Sequence, residues 1–388
     1  MAELELPQFK GRPGWEFTDI SGLDLTAYQP VRSPDEDGAG AQAAHPLFEL
    51  EDVATLPDGV IVATIDEAYR EHGEVLRRYL GSLVTADDVF TMLNDSAEYR
   101  SGSFVYVPRG VAVQEPISLR TVHAQAGTLL HQRTLIVLEE GAQAEVWEQY
   151  LSGAEDLDGV FNVATELVLS GNSRLRYVCG QNLSERSWIF GAQRAEVGRD
   201  ASLDWVALGF GSARGRVRME TRLGGEGAEA RVTGAYASHA RQHIDFDTTQ
   251  EHAAANTTSD LAFRGVLQDR STAVWKGNII VDRGAQKTDA FQESRNLLLS
   301  KRAHADAIPG LEIQANDVRC THAAAVAQVD PEQLFYLRSH GLPEASAKRL
   351  VIEGFLAALV ERFEEGPVRE VLGEALERRL GLILDSGA

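Results

Sequence analysis

The sequence predicts a mainly β protein with helical regions at both ends. Between residues 101 and 329, short segments rich in Val, Ile, Tyr, Trp and Phe alternate with polar residues and are separated by Gly, Asn, Asp or Ser turns. No long amphipathic helix interrupts these segments, which argues against an alternating βαβ sheet. A turn followed by an alternating strand also recurs roughly every 27 to 31 residues, starting at Gly141, Asn172, Asp200 and Gly227.

A coil of similar turns explains this repeat, because each turn buries its inner face by stacking on its neighbours. A β-sandwich gives comparable turns at shorter spacing and remains the alternative. We therefore assign residues 101–329 to a β core that follows an N-terminal region, 1–100, and precedes a C-terminal helical domain, 330–388.

The N-terminal region is predicted to be helical from Ile65 to Tyr99, where apolar residues recur at steps of three and four. Its second part begins with Thr85-x-x-Asp88, which resembles a capping box. Residues 31–46 are rich in Gly, Pro, Ala and acidic residues, so we expect a flexible connector there.

The C-terminal domain is predicted to contain three helices. Asp330 is a suitable N-cap, Pro331 a suitable first helical residue, and Gly341 a suitable stop. The second helix is expected from about Pro343 to Phe363 and the third from about Val368 to Leu380. The apolar arc of the second helix is wider than burial on one side needs. The helix is therefore either lodged within its own domain or offers a docking surface to a partner.

Composition excludes several functional classes. The 388 residues contain 37 Lys and Arg against 58 Asp and Glu, for a formal net charge of −21, so nucleic acid is not an expected partner. Cys179 and Cys320 are the two cysteines, which excludes a disulfide framework and favours a reducing compartment. The sequence shows no signal peptide and no membrane span, so we expect a cytoplasmic protein. It contains no P-loop motif, so we expect no ATP to bind in that mode.

The triplet Cys320-Thr321-His322 is the first candidate site. On a strand, side chains two residues apart lie on the same face, so the Cys320 thiol and the His322 imidazole should point the same way. Together they suit iron, zinc or copper. Two donors cannot complete a metal site, which favours a partner surface that supplies the others.

The second candidate is a histidine group, which consists of His239, His243 and His252. With Asp245 and Asp247 it provides metal-binding residue types, but the spacing should divide the side chains between the two faces of a strand. Structural, hydrogen-bonded histidines are the alternative. The two aspartates also leave open a β-helix enzyme that acts on polysaccharide by general acid–base catalysis. Cys179 lies in an alternating apolar strand and is interpreted as a small buried hydrophobic residue.

Several segments resemble the SufB/SufD family of iron–sulfur cluster assembly proteins. The resemblance is dense from Trp275 to Phe363 and is carried by KGNIIVDRGAQKTDAFQESRNLLLS, ADAIPGLEI, ANDVRCTHAAA and DPEQLFYLRSHGL. It implies that the core is a right-handed parallel β-helix. It also implies a non-catalytic scaffold subunit that pairs with a SufB-like subunit and a SufC-like ATPase. The ATPase would bind the C-terminal helices, and its predicted contacts are Phe355, Leu356, Leu359 and Phe363.

Within this family the chain is most similar to the SufD branch. SufB-type chains carry a cysteine ahead of the ESRN motif and a His-Glu pair further on. Residues 284–296 contain no cysteine, and His322 is followed by Ala323. The resemblance implies that His322, with Cys320 as an auxiliary ligand, binds a transient iron–sulfur cluster at the interface with the SufB-like subunit. It allows for flavin only in the assembled complex. A homodimer in which two Cys-x-His pairs face each other is the alternative assembly.

Overall fold

The computed structural model describes residues 15–31, 42–48, 55–96 and 101–385, together with Leu6. The protein is mainly β, with 45% strand and 19% helix, and its strands form a parallel β-solenoid of about eight turns. Helices precede and follow the solenoid. The predicted fold class is therefore confirmed, and the β-sandwich alternative is wrong. Most of the predicted connector near residues 31–46 lies outside the described residues.

The N-terminal region contributes two short strands and three helices. These are β1 (Gln29–Pro30), β2 (Ile61–Thr64), α1 (Ile65–Glu71), α2 (Gly73–Tyr79) and α3 (Val89–Ser96). A capping box starts α1, where Thr64 and Glu67 each accept a hydrogen bond from the backbone of the other. The box predicted at Thr85 is wrong. The carboxylate of Asp88 instead accepts hydrogen bonds from Phe90 N and Thr91 N, so α3 begins four residues after Thr85.

The core is formed by sixteen strands between residues 102 and 328. They are β3 (Gly102–Val107), β4 (Ile117–His123), β5 (Thr128–Leu138), β6 (Gln143–Ser152), β7 (Gly159–Leu169), β8 (Arg174–Asn182), β9 (Trp188–Val197), β10 (Ser202–Gly209), β11 (Arg214–Leu223), β12 (Glu229–Ser238), β13 (His243–His252), β14 (Thr258–Leu267), β15 (Thr272–Val281), β16 (Asp289–Leu298), β17 (His304–Ile313) and β18 (Arg319–Gln328). Odd-numbered strands from β3 to β17 form one sheet and even-numbered strands from β4 to β18 form the other. Within each sheet these strands are parallel, as stacked turns of a coil require.

The repeat seen in the sequence marks one corner of the coil. The turn residues Gly141, Asn172, Asp200 and Gly227 all have positive φ angles, between 54° and 74°. Glycine, asparagine and aspartate tolerate this left-handed conformation better than other residues, which explains their recurrence. The strands that follow these turns, β6, β8, β10 and β12, lie side by side in register. The prediction that these units stack is confirmed.

Alternation within each strand divides the side chains between the interior of the coil and its outer face. On β14, for example, Leu261 and Phe263 belong to the interior cluster, whereas Ala262 and Val266 pack outward. The outward residues of β12 and β14 lie beneath the C-terminal helices. Trp205 and Trp275 are fully buried in the interior.

The C-terminal helices are α4 (Pro331–Ser339), α5 (Glu344–Val360) and α6 (Pro367–Asp385). Asp330 caps α4 by accepting a hydrogen bond from Glu332 N, Pro331 is its first residue, and Gly341 follows it with φ +91°, as the sequence predicts. Arginines fasten this domain to the coil. Arg264 Nη1 donates to Phe355 O at 2.9 Å, and Arg379 donates to Ala237 O. Among the helices of the described segments, none has the length and hydrophobicity of a transmembrane span.

Candidate functional site

The last turn of the coil, formed by β17 and β18, carries the Cys-x-His triplet. Strand β18 pairs with β16, and β17 pairs with β15. In the described part of the chain, β17 and β18 are the terminal strands of their sheets. The final turn is therefore open on the side where a further turn would stack, with unpaired edge strands and uncovered interior positions.

Register places both candidate ligands on the inward face of this open turn. Cys320 lies opposite Ala290 and His322 lies opposite Gln292. Ala290 and Gln292 are buried interior residues, with 1% and 0% of their surface exposed. Cys320 and His322 therefore share one face, as their spacing predicts. That face belongs to the open end of the coil at β17 and β18, which we call the mouth.

The Cys320 side chain is half-buried at this mouth. It packs against an apolar cluster that contains Ile279, Val281, Ala285 and Ala290. Burial raises the pKa of the Cys320 thiol, and the nearby Asp289 carboxylate raises it further. The sulfur is therefore a neutral thiol near pH 7. It must lose its proton to become a metal ligand, which an approaching cation favours.

His322, by contrast, is exposed, and its imidazole makes no hydrogen bond to the described residues. Both of its ring nitrogens are therefore available to a group that covers the mouth. No cluster of three or more His, Cys, Asp or Glu side chains is arranged to hold a metal ion in the described ranges. Within this chain, the mouth offers one imidazole and one thiol. Their role as ligands stays a prediction.

Gln292, directly beneath His322, is a residue that sequence reasoning missed. Its Nε2 donates hydrogen bonds to Gly310 O at 3.0 Å and to Gly277 O at 3.3 Å. Its Oε1 is buried and accepts no hydrogen bond from the described residues. The signal in the sequence was a polar residue at an inward strand position, where an apolar residue is usual. A buried acceptor thus lies below the candidate ligand.

The histidine group does not form a metal centre. His243 faces outward and bonds to Thr272 and Thr18, whereas His252 faces inward and bonds to Thr257 and Ser259 at 2.8 and 2.9 Å. His239 precedes β13 and pairs with Glu185. The predicted division between faces is confirmed, and the structural interpretation is the correct one. Burial lowers the pKa of both His243 and His252 to about 4, so both are neutral.

Asp245 is sealed rather than available for catalysis. It is 1% exposed, accepts a hydrogen bond from Thr18, and pairs with Arg216 at 2.6 Å. Arg216 also pairs with Asp247 at 2.6 Å and lies under the Trp15 ring. Burial raises the pKa of Asp245, although Arg216 opposes this rise. These contacts remove Asp245 from solvent, so the polysaccharide-acting alternative has lost its candidate catalytic group.

The predicted partner contacts on α5 require a correction. Leu356, Leu359 and Phe363 are 3–4% exposed, and they pack with Phe355 against the outer face of the coil and against α6. The apolar arc is wide because the protein's own strands and α6 cover it. These four residues do not form an accessible docking surface. Cys179, predicted to be buried, is 6% exposed, and burial raises its pKa to about 12.

A different apolar surface is exposed on the same domain. Phe335 and Tyr336 on α4 and Leu350 on α5 are 73%, 62% and 50% exposed. Tyr336 and Leu350 line a groove between the two helices, together with Leu337, Val351 and Gly354, among others. We call this set the α4–α5 patch. Exposed aromatic residues grouped in this way are typical of a protein interface.

Comparison with known proteins agrees with this architecture. Residues 121–355 match the family model described as "SUF system FeS cluster assembly, SufBD core domain", and residues 47–119 match "SufBD protein N-terminal region". The chain is 34% identical to the iron–sulfur cluster assembly protein SufD of Bacillus subtilis (strain 168), over 83% of this chain and 74% of that one. It is 31% identical to an iron–sulfur cluster assembly SufBD family protein of Mycobacterium tuberculosis (strain ATCC 25618 / H37Rv), over 73% of this chain and 72% of that one.

Proposed function

The chain belongs to the SufBD family of iron–sulfur cluster assembly proteins and is SufD-like, and we propose that it is a non-catalytic scaffold subunit whose open last turn is completed by a SufB-like subunit. The single observation that supports this proposal most is the mouth of the coil. It presents Cys320 and His322 on an inward face that nothing in the described chain covers.

The open turn itself argues for a protein partner. Ile313 and Val326, one at each side of the mouth, are both 42% exposed although they occupy inward positions. A coil normally covers such positions with a further turn or a cap. A second β-helix that meets β17 and β18 edge to edge would satisfy the unpaired backbone groups and bury these side chains.

Cluster assembly would then take place where the two chains meet. The His322 imidazole and the Cys320 thiolate are suitable donors to iron, and the partner subunit would supply the remaining ligands. The cluster is cargo that forms and leaves. This chain contributes two donors, an apolar surrounding and the buried Gln292 carboxamide beneath them.

The α4–α5 patch is the proposed contact for a SufC-like ATPase. Helix α4 begins at Pro331, three residues after β18 ends at Gln328. A movement of α4 driven by ATP hydrolysis in the partner would therefore act directly on the strand that carries Cys320 and His322. The anchored helix α5 would keep the rest of the domain fixed to β12 and β14.

The proposal is tested by substitution at the mouth. His322→Ala, produced together with a SufB-like and a SufC-like subunit, should assemble into the complex but lose the visible absorbance of an iron–sulfur cluster. Thr321→Ala is the matched control, because Thr321 is exposed on the outward face of the same strand. A His322→Ala complex with a full cluster signal would refute the ligand role. A stable homodimer that forms a cluster without the SufB-like subunit would favour the alternative assembly.

A further inference from the structure

One corner of the coil carries a row of arginines. Arg241, Arg270 and Arg302 each lie two residues before a strand of the same sheet, and those strands begin in register at His243, Thr272 and His304. The three arginines therefore occupy the same turn position on three successive turns. Adjacent strands lie about 4.8 Å apart, so the row has a regular spacing set by the backbone. We call Arg241, Arg270 and Arg302 the arginine row.

The row lines an open depression of about 770 Å³. Arg214 extends the same wall; its Nη1 donates to Asp19 O at 2.8 Å, so its position is fixed by the N-terminal segment. Two carboxylates also line the depression, but both are engaged. Glu185 pairs with His239, and Asp269 accepts a hydrogen bond from Ala240 N at 3.0 Å.

The side chains of the arginine row form no ion pair or hydrogen bond with any residue that the structure describes, so all three guanidinium groups are open to a ligand. Several arginines on the faces of the coil are paired instead. Arg176 contacts Glu145 and Asp204 at 3.0 and 2.9 Å, and Arg222 contacts Glu196 and Glu251 at 2.8 and 3.2 Å. Acidic residues outnumber basic ones by 58 to 37, so the row does not lack ion-pair partners because the chain has too few carboxylates.

Like charges held this close repel each other, which costs free energy unless an anion lies between them. Guanidinium groups present a planar fork that matches phosphate and carboxylate oxygens. Several such forks at a fixed short spacing suit one compact anion that carries several charges. An extended polyanion such as nucleic acid fits poorly, because it would run onto the surface of a chain with a net charge of −21.

We propose that the arginine row is a binding site for a compact oligophosphate, that is, a di- or triphosphate group, either free or carried by a nucleotide. The site uses neither of the proposed cluster ligands, Cys320 and His322, although Arg302 lies just before β17, a terminal strand of the coil. It differs from the P-loop mode that the sequence excludes, because side chains on three turns, rather than backbone amides of one loop, contact the phosphates.

Calorimetric titration of the whole chain at low salt tests this proposal. Tripolyphosphate and ATP are the probes, and orthophosphate and AMP are the weaker controls. The triple variant R241Q/R270Q/R302Q should bind tripolyphosphate at least about tenfold more weakly, since charge-assisted hydrogen bonds are lost. The matched control R120Q/R174Q/R283Q makes the same change in charge at three exposed arginines outside the depression. It should bind like the unmodified protein.

The source of the phosphate group follows from the two probes. Equal affinity for tripolyphosphate and ATP would assign recognition to the phosphates alone, and higher affinity for ATP would assign an additional contact to the nucleoside. Three results would overturn the proposal: no binding of either probe, equal weakening in both triple variants, or binding of a polyglutamate peptide in place of the phosphates. Circular dichroism spectra of both variants show whether each remains folded, which is expected because all six side chains are exposed.

Discussion

The thiol of Cys320 shows how position controls reactivity in this protein. It is half-buried in an apolar cluster, and it lies on the strand next to Asp289, whose carboxylate pairs with Arg319 at 3.2 Å. Burial is the larger cause of its raised pKa, and the Asp289 carboxylate is the second. Both effects disfavour the thiolate. Cys320 is therefore protected from reaction until a cation or a partner arrives.

The first prediction concerns Asp289→Asn. Removal of the carboxylate should lower the pKa of Cys320 and leave the Arg319 guanidinium unpaired nearby, and both changes favour the thiolate. A pKa decrease of about half a unit raises the thiolate fraction about threefold at neutral pH. Alkylation of Cys320 by iodoacetamide, followed by mass spectrometry over a range of pH, measures this change.

Asp317→Asn is the control, because it removes an exposed carboxylate that does not contribute to the Cys320 pKa. Cys179 is an internal standard that should stay unmodified, since it is buried and its pKa is raised to about 12. Equal alkylation rates in Asp289→Asn and the unmodified protein would show that burial alone governs the thiol.

The sequence could predict part of this site at the residue scale. Strand alternation alone places Cys320 and His322 on one face. It cannot tell which face, or that the turn above is missing, because both depend on how many turns the coil has. Asp245 illustrates the same limit. Thr18, which helps to bury it, lies 227 residues earlier in the chain, and no local pattern relates the two.

At the scale of elements, the sequences suggest that α5 is the docking surface, whereas in the structure α5 is covered and α4 is exposed. Helix α5 is the more apolar of the two, yet its apolar residues are used to attach the domain to β12 and β14. Helix α4 is short and polar on average, but it exposes Phe335 and Tyr336. Apolar periodicity predicts that a helix buries a face; it does not identify the surface that covers the face.

The second prediction separates these roles by paired substitutions. Leu356→Ala should lower the free energy of unfolding by about 2–5 kcal/mol, because it leaves a cavity between α5 and the coil. Phe335→Ser should leave the free energy of unfolding nearly unchanged, since that side chain is mostly exposed, but should weaken binding to a SufC-like ATPase. Urea unfolding and a pull-down of the ATPase measure the two effects.

Lys348→Ser is a control on the exposed side of α5, where Lys348 pairs with Glu344 at 2.9 Å. It should retain both stability and ATPase binding, since an exposed ion pair contributes little. If Phe335→Ser retains ATPase binding while the folded but destabilised Leu356→Ala loses it, the α4–α5 patch is not the contact.

The element boundaries show which sequence signals were sufficient to locate the start or the end of a strand or helix. The turns at Gly141, Asn172, Asp200 and Gly227 fixed the positions of β6, β8, β10 and β12, because a left-handed backbone conformation restricts the residue type. Asp330 and Gly341 likewise delimited α4. At α3, two acidic residues follow Thr85, and the helix uses the later one, Asp88, as its cap. Where several residues that can cap a helix lie close together, the sequence alone does not identify the first residue of the helix.

At the scale of the whole molecule, the coil is stabilised along its length by stacked turns and is open at its C-terminal end. Interior positions below the mouth are filled by large side chains, among them Trp205, Phe263 and Trp275. At the mouth, inward positions hold small residues such as Ala305 and Ala324 together with the exposed Ile313 and Val326. A partner at this end could insert side chains next to the alanines and would bury the two larger apolar side chains, as an assembly interface requires.

The histidines with lowered pKa values make the free energy of unfolding of the whole molecule depend on pH. Burial lowers the pKa of His123, His131, His243 and His252 to about 4. In the unfolded chain each has a pKa of about 6.5. Between these values the unfolded state binds more protons than the folded state, so the free energy of unfolding falls as the pH is lowered through this window. Glu148 and Asp245, whose pKa values are raised by burial, contribute with the opposite sign.

The third prediction isolates one of these histidines. His252 is fully buried, with both ring nitrogens bonded to hydroxyl groups, so His252→Gln removes one titrating group and keeps a polar side chain there. Urea unfolding between pH 7.5 and pH 5 should show a shallower loss of stability in this variant than in the unmodified protein, whatever its stability at pH 7.5. Gln250→Asn changes a buried polar side chain on the same strand without removing a titrating group, and it should keep the original slope. If His252→Gln also keeps that slope, His252 gains its proton in the folded protein, and its burial does not contribute to acid unfolding.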